Sequence, residues 1–211
     1  MYDRRIDYAI NNFINNEFFL DKSNKYTLKE KSKQGESILI VNVENDNICV
    51  EEYDNDNVRG KCNFLKQDRH QGLKKCIDHF LLSKNGENWA LHMIEMKTSV
   101  GNSTWHDIKH KNRASYFNIM SLCLVLGIKV DKIYSYTTYE TEKFQPINQT
   151  SDIKAHVPML GKKLIDFKKD EWDKGKITIE LDDMNLEMIF PHRAIKMIRN
   201  SKGELEGELT I

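Results

Sequence analysis

The alternation of apolar and polar residues is clearest between positions 74 and 100. Two runs dominated by apolar residues, 76–82 and 89–96, stand on either side of a polar segment at 83–88 that is rich in turn-forming residues. Two short apolar runs separated by such a segment are typical of a β-hairpin. We therefore predict two adjacent antiparallel strands in this part of the chain.

Each of these predicted strands contains one acidic residue in an apolar context. Asp78 follows Ile77 in the first strand, Glu95 follows Ile94 in the second, and Lys97 comes two residues after Glu95. Because side chains alternate between the two faces of a strand, Glu95 and Lys97 project from the same face. The pattern predicts an acid and a lysine on one surface, within reach of Asp78 on the neighbouring strand.

Periodicity also predicts the other elements of the first two thirds of the chain. Apolar residues at helical spacing indicate a helix over 3–19 and a longer helix over 105–126 that stops at Gly127. The lysine-rich segment that follows the first helix, up to position 35, is predicted as a connection. Strands are indicated by alternating or β-branched residues at 37–43, 47–53 and 132–139.

A polar segment that contains Pro146 separates these elements from the rest of the chain. Beyond it, strand patterns recur at 177–181, 186–190, 193–199 and 204–211. We predict a core over residues 1–145 and a small β-rich C-terminal extension over residues 146–211 that packs on the core.

The two acids of the hairpin raise an electrostatic problem. Carboxylates on neighbouring apolar strands repel each other unless a cation or a proton lies between them, and burying them uncompensated is costly. A pair of solvated surface charges is the ordinary alternative for Glu95 and Lys97. A divalent metal ion would remove the repulsion, because Mg²⁺ is commonly held by one or two carboxylates and keeps its other positions for water and phosphate.

An acid on one strand and Glu-x-Lys on the next, followed by a long helix and a further strand, resemble the PD-(D/E)XK nuclease superfamily. In this chain the pattern consists of 77–82 and 94–97 and covers roughly residues 76–139. Ile77 stands at the position of the proline in the family's name, and that proline is often replaced. The resemblance implies an α/β, or α+β, fold with a restriction-endonuclease-like core, in which helices flank a central mixed sheet.

The resemblance also implies a chemistry. Asp78, Glu95 and Lys97 would be the catalytic residues of a nuclease that depends on Mg²⁺ or Mn²⁺. The metal ligands would be Asp78, Glu95 and the backbone carbonyl of Met96, and Lys97 would place or activate the attacking water. Glu17 is a further candidate ligand, because the N-terminal helix of the family often supplies an acid; a solvated glutamate is the ordinary alternative.

The first half of the predicted helix over 105–126 is basic. Lys109, Arg113 and Tyr116 fall at i, i+4 and i+7 and share one face, and Lys111 lies beside them in sequence. We predict that these four side chains bind the phosphate groups of a nucleic acid. A solvated basic face is the alternative.

Composition narrows the classes of protein that fit. Lys plus Arg and Asp plus Glu both number 32, so the chain lacks the overall basic charge of a non-specific nucleic-acid binder. The four cysteines show no C-x-x-C spacing, which argues against a zinc ribbon and favours a reducing, cytoplasmic location. No signal peptide and no apolar segment of membrane-spanning length is visible, so we expect no membrane association.

Taken with the resemblance, these observations predict a metal-dependent nuclease that hydrolyses phosphodiester bonds in DNA or RNA, with DNA as the first choice of substrate. The abundance of Asn, Lys and Ile suggests an AT-rich genome and hence a bacterial or phage protein of nucleic-acid processing or defence. A homodimer is left open. The alternative is a non-catalytic interaction or inhibitor protein on a nuclease-like scaffold, which the zero net charge favours and the complete acid–lysine set disfavours.

Overall fold

A computed structural model describes residues 4–13, 19–20, 22–32, 35–50, 73, 75–145, 167–181 and 186–211. Over these residues the chain forms three helices, α1 (Arg4–Phe13), α2 (Asn102–Leu126) and α3 (Phe167–Asp173). The strands are β1 (Lys25–Ser32), β2 (Gly35–Asn42), β3 (Asn47–Val50), β4 (His79–Asn85), β5 (Asn88–Met96), β6 (Ser99–Val100), β7 (Val130–Tyr139), β8 (Thr141–Glu142), β9 (Lys176–Leu181), β10 (Leu186–Lys196), β11 (Ile198–Arg199) and β12 (Leu205–Thr210). The described part is therefore a mixed α+β structure that consists mostly of sheet.

The main sheet has six strands in the order β3-β4-β5-β7-β10-β9. Strands β3, β4 and β5 are antiparallel neighbours, which confirms the hairpin predicted between 74 and 100. The first strand covers 79–85 and not the predicted 76–82, because pairing continues through the predicted loop up to the turn between Asn85 and Asn88. Strand β7 then pairs with β5 in parallel. Parallel neighbours need a crossover connection, and α2 lies in the stretch of chain between β5 and β7.

A second sheet, in the order β1-β2-β12-β11, covers one face of the main sheet. Side chains of this sheet, such as Leu39 and Leu209, share a buried apolar cluster with Leu81 and Ile94 of the main sheet. The helices α1 and α2 pack on the opposite face, where Phe80 and other residues form a separate cluster. The arrangement is three layers, with the main sheet in the middle.

This layering differs from the sequence-based expectation of helices around the central sheet. In the described residues, helices cover one face and the second sheet covers the other. Strand β1 lies in the segment predicted as a connection, and its buried side chains Tyr26 and Leu28 alternate with the exposed residues Lys25, Thr27 and Lys29. Burial of every second residue is typical of a strand that has one face in the core and the other in solvent.

Helix α2 ends where the sequence predicts. Gly127 has φ of 68°, in the left-handed region, and its N–H donates to the carbonyl oxygen of Leu124 at 3.2 Å. The N–H of Ile128 donates to the carbonyl oxygen of Cys123 at 2.8 Å. These two bonds satisfy carbonyl groups at the helix end, which is the usual role of a glycine at this position.

The predicted C-terminal extension contributes strands to both sheets. Strand β10 pairs with β7 in parallel and with β9 in antiparallel orientation, and β12 pairs with β2 in parallel. Residues 146–166, which begin the extension, lie outside the described residues. None of the helices in the described ranges is both long and apolar enough to cross a lipid bilayer.

Candidate functional site

Asp78, Glu95, Lys97 and Lys111 meet at one end of the main sheet, and we call these four residues the acid–lysine cluster. Asp78 directly precedes β4, Glu95 and Lys97 lie at the end of β5, and Lys111 belongs to α2. The register pairs His79 with Ile94, so Asp78 and Glu95 are neighbours where the two strands meet.

The backbone holds the Asp78 carboxylate in place. The N–H of Met96 donates to Asp78 Oδ2 at 2.6 Å, which joins the beginning of β4 to the end of β5. One residue earlier, the N–H of Ile77 donates to Ser115 Oγ of α2 at 2.9 Å. Asp78 is 2% exposed and Glu95 is fully buried, so both carboxyl groups are removed from bulk water.

Two lysine ammonium groups approach these buried acids. Lys111 Nζ lies 2.7 Å from Glu95 Oε1 and 3.2 Å from Asp78 Oδ1. Lys97 Nζ forms an ion pair with Glu95 Oε1 and lies 3.8 Å from Asp78 Oδ2. It also donates to the backbone carbonyl of Met96 at 3.1 Å. With all four groups ionised, the positive and negative charges of the cluster cancel.

The pKa values in the cluster reflect its burial. Burial, and then the negative charge of Asp78, raise the pKa of Glu95 to about 7, although Lys97 and Lys111 oppose this shift. Burial favours the neutral form of Lys111, but the charges of Glu95 and Asp78 outweigh it and raise the Lys111 pKa. The two directions are compatible because the Glu95 side chain is fully buried whereas the Lys111 side chain keeps 18% of its surface exposed.

The carboxylates fit a shared cation. Oxygens of Asp78 and Glu95 converge within 3.2 Å of a single point, the Nζ atom of Lys111. Glu95 Oε2 is buried and has no hydrogen-bond partner among the described residues. Mg²⁺ and Mn²⁺ are hard cations that can be held by two carboxylates with water in the remaining positions. Asp78 and Glu95 are therefore suitable ligands for such an ion.

Asp78 and Glu95 have few further candidate metal ligands around them among the described residues. Within the described ranges, no group of three or more His, Cys, Asp and Glu side chains is arranged to hold a metal ion. The carbonyl of Met96, the third predicted ligand, lies next to Lys97 Nζ. Glu17, the further candidate, lies outside the described residues.

A polar cleft of about 580 Å³ reaches the cluster at Lys97. It lies between the second sheet and the beginning of α2, and its lining includes the polar side chains of Glu30, Ser32, Ser37, Thr98, Ser103 and Asp107. The side chain of Lys97 is 26% exposed, whereas the two acids beside it are buried. A ligand in this cleft would therefore meet Lys97 before either carboxylate.

The predicted phosphate-binding face of α2 contacts the C-terminal part of the protein. Lys109 Nζ lies 3.1 Å from Glu171 of α3, and Arg113 donates to the backbone carbonyl of Glu180 in β9. The Tyr116 ring packs on that of Phe190 in β10, with ring centroids 5.5 Å apart. These contacts do not place the three side chains beside Asp78 and Glu95, and their role in nucleic-acid binding stays a prediction.

Lys111 lies at a position that its place in the sequence does not predict. It was grouped with the basic face, but the structure places it against both acids. The sequence contains a signal for this position, because Lys111 shares one helix face with Ile108 and Ser115 at i, i+3 and i+7. The structure buries that face, with Ile108 and Ser115 fully buried. A lysine on the apolar stripe of a helix needs a buried anion as its partner.

Comparison of the chain with protein-family models, curated proteins and solved structures finds no match. The resemblance of 76–139 to the nuclease superfamily therefore stays a prediction. Function has to be inferred from the geometry of the acid–lysine cluster and the cleft beside it.

Proposed function

We propose that the protein is a metal-dependent nuclease that cleaves phosphodiester bonds in DNA or RNA, with DNA as the first choice of substrate. The observation that carries the proposal is the convergence of Asp78, Glu95 and Lys97 within ion-pair distance at the end of a cleft. The alternation of side chains along a strand predicts that Glu95 and Lys97 share one surface, within reach of Asp78 on the neighbouring strand. A solvated pair of surface charges, the ordinary alternative, does not describe acids that are 2% and 0% exposed.

The strand order supports a restriction-endonuclease-like core as the finer description of the fold. Strand β4, strand β5 with Glu95 near its end, the long helix α2 and strand β7, which is parallel to β5, come in this order along the chain, with only the two-residue strand β6 between β5 and α2. This is the order of elements that the resemblance implies. A location inside the cell belongs to the same proposal, because nucleic acid is the proposed substrate.

The side chains divide the chemistry between them. A Mg²⁺ or Mn²⁺ ion held by Asp78 and Glu95 would supply an activated water and would neutralise charge on the phosphate. The Met96 N–H holds the Asp78 carboxylate, and Ser115 Oγ accepts the backbone N–H of the preceding residue, Ile77. Lys97, at the junction of cleft and cluster, can donate to a phosphate oxygen as negative charge develops on it.

Nuclease assays on supercoiled DNA, single-stranded DNA and RNA, with Mg²⁺, Mn²⁺ or a chelator, test the proposal. We expect cleavage that requires the metal, and a rate lowered by roughly 10²- to 10⁴-fold in Lys97→Met, since one stabilising donor is removed. Lys132→Met is a matched control, because Lys132 is exposed and pairs with Ala90 near the other end of β5. A parent protein that cuts no substrate, or a Lys97→Met variant that cuts as fast as the parent, would contradict the assignment.

A second candidate function is supported by one observation. The Lys111 and Lys97 ammonium groups already balance the charge of both acids. A cluster that is neutral without a metal ion is compatible with a non-catalytic interaction or inhibitor protein on a nuclease-like scaffold. Absence of both metal binding and cleavage in the parent protein would favour this second function.

A further inference from the structure

We infer that Lys111 occupies the cation site between Asp78 and Glu95, so that a divalent metal ion binds there only by displacing the Lys111 ammonium group. The inference rests on the proposed function, because it concerns the metal that the nuclease would use. It adds a residue of α2 that regulates access of that metal to the site. Lys111 is thus a positioning residue that controls when the acids are available as ligands.

The contacts distinguish Lys111 from Lys97. Lys111 Nζ is within hydrogen-bond distance of one oxygen from each acid, at 2.7 Å from Glu95 and 3.2 Å from Asp78. Lys97 Nζ contacts Glu95 but is 3.8 Å from Asp78, and it has the Met96 carbonyl as a further acceptor. The point that bridges the two carboxylates is therefore occupied by Lys111.

Charge balance opposes simultaneous binding of the lysine and a metal ion. Two carboxylates and two ammonium groups sum to zero, and a divalent ion added to them would leave two uncompensated positive charges in a largely buried site. Uncompensated buried charge is strongly unfavourable. If the Lys111 ammonium leaves as the metal enters, only one uncompensated positive charge remains. The metal ion and the Lys111 ammonium therefore compete for the same carboxylate oxygens.

The structure also provides a place for the displaced ammonium group. Lys111 keeps 18% of its side-chain surface exposed, and lysine has a flexible four-carbon stem. Asp107 lies one helical turn earlier on α2 and lines the cleft, where it forms an ion pair with Lys75. Residues four apart on a helix are neighbours, so the Lys111 ammonium can move toward the Asp107 carboxylate.

Calorimetric titration with Mn²⁺ alone, on the parent, Lys111→Met and Lys111→Gln, tests this inference without measuring activity. We expect at least tenfold tighter Mn²⁺ binding in both variants and no change in Lys132→Met. Thermal melting provides a second measurement. Without metal the two Lys111 variants should melt below the parent, because the acids have lost a partner, and Mn²⁺ should raise their melting temperatures more than that of the parent.

The outcomes separate the inference from the proposed function. Equal Mn²⁺ affinity in the parent and both variants would overturn the inference and leave the nuclease proposal standing. Tighter binding by the variants, with no cleavage of DNA or RNA by any of these proteins at saturating Mn²⁺, would support the inference and overturn the nuclease proposal. No Mn²⁺ binding by any of them would overturn both. Variants that stay unfolded with and without Mn²⁺ would also overturn the inference, since the carboxylates would then not accept a metal in place of the ammonium.

Discussion

Replacement of Asp78 by alanine should destabilise the protein as well as remove a proposed ligand. Its carboxylate accepts the Met96 N–H at 2.6 Å and lies 3.2 Å from Lys111 Nζ and 3.8 Å from Lys97 Nζ. A buried N–H left without an acceptor costs about 1–3 kcal/mol. Removal of one partner from a fully buried ion pair costs about 3–5 kcal/mol.

The cost of removing one partner from the ion pairs is smaller at this site than in a fully buried pair. Both lysines keep part of their surface exposed, 18% for Lys111 and 26% for Lys97, and both keep Glu95 as a partner. We therefore expect Asp78→Ala to lower the free energy of unfolding by about 3 kcal/mol in total. Asp78→Asn retains an oxygen that can accept the Met96 N–H, so roughly half of that loss is expected.

Urea unfolding followed by tryptophan fluorescence measures these differences. An unchanged m-value would show that the variant and the parent expose the same amount of surface on unfolding. Asp131→Ala is the control, because Asp131 is exposed and its carboxylate accepts a solvent-exposed hydrogen bond from the Asn88 amide at 3.0 Å. Substitutions at such exposed positions usually change stability by less than about 0.5 kcal/mol. If Asp78→Ala and Asp131→Ala lose the same small amount, the acid–lysine cluster does not anchor the β4–β5 junction. Activity of Asp78 variants should in either case be compared below their unfolding transitions.

Two further predictions concern the fold. Burial lowers the pKa of His92 to about 4, so the unfolded chain takes up a proton first and stability falls as pH decreases from about 6.5 toward 4. At pH 5 this protonation lowers the free energy of unfolding by about 2 kcal/mol. Urea titrations at pH 7.5 and 5 should therefore show a weaker pH dependence of stability for His92→Gln than for the parent. The same pH dependence in both proteins would contradict the lowered pKa of His92. Gly127→Ala should cost more than the roughly 1 kcal/mol expected from its positive φ alone, because an added Cβ would come within 2.5 Å of the Arg5 guanidinium. Gly86→Ala is its control, because Gly86 has φ of 64° and no atom of the described residues lies within 4 Å of the added Cβ. An equal loss of thermal stability in both variants would show that the Arg5 side chain moves aside at no cost.

Local patterns in the sequence determined the parts of the fold that depend on near neighbours. The β4–β5 hairpin, the end of α2 at Gly127 and strand β7 were predicted from alternation, helical spacing and turn residues. Each of these signals comes from the backbone geometry of a few consecutive residues. The shared location of Glu95 and Lys97 follows from the same geometry, since residues two apart in a strand project from one face.

Long-range pairing was decided by the tertiary structure. Strands β2 and β3 follow each other closely in the chain, yet they belong to different sheets, and β2 pairs with β12 from the C-terminal end. Strand β10 belongs to the C-terminal extension predicted to pack on the core, and it pairs with β7 in the main sheet. Alternation indicates which face of a strand is buried, but it does not indicate which strand or helix covers that face.

In the acid–lysine cluster too, local sequence determines some of the positions and tertiary packing determines the others. The sequence alone was sufficient to single out Asp78, Glu95 and Lys97, because they lie on or beside two strands joined by a short loop. Lys111 joins them only because α2 crosses the sheet with the stripe of Ile108 and Ser115 turned inward. The ammonium that bridges the two acids comes from an element packed against the hairpin, and its position is set by the packing of helix on sheet.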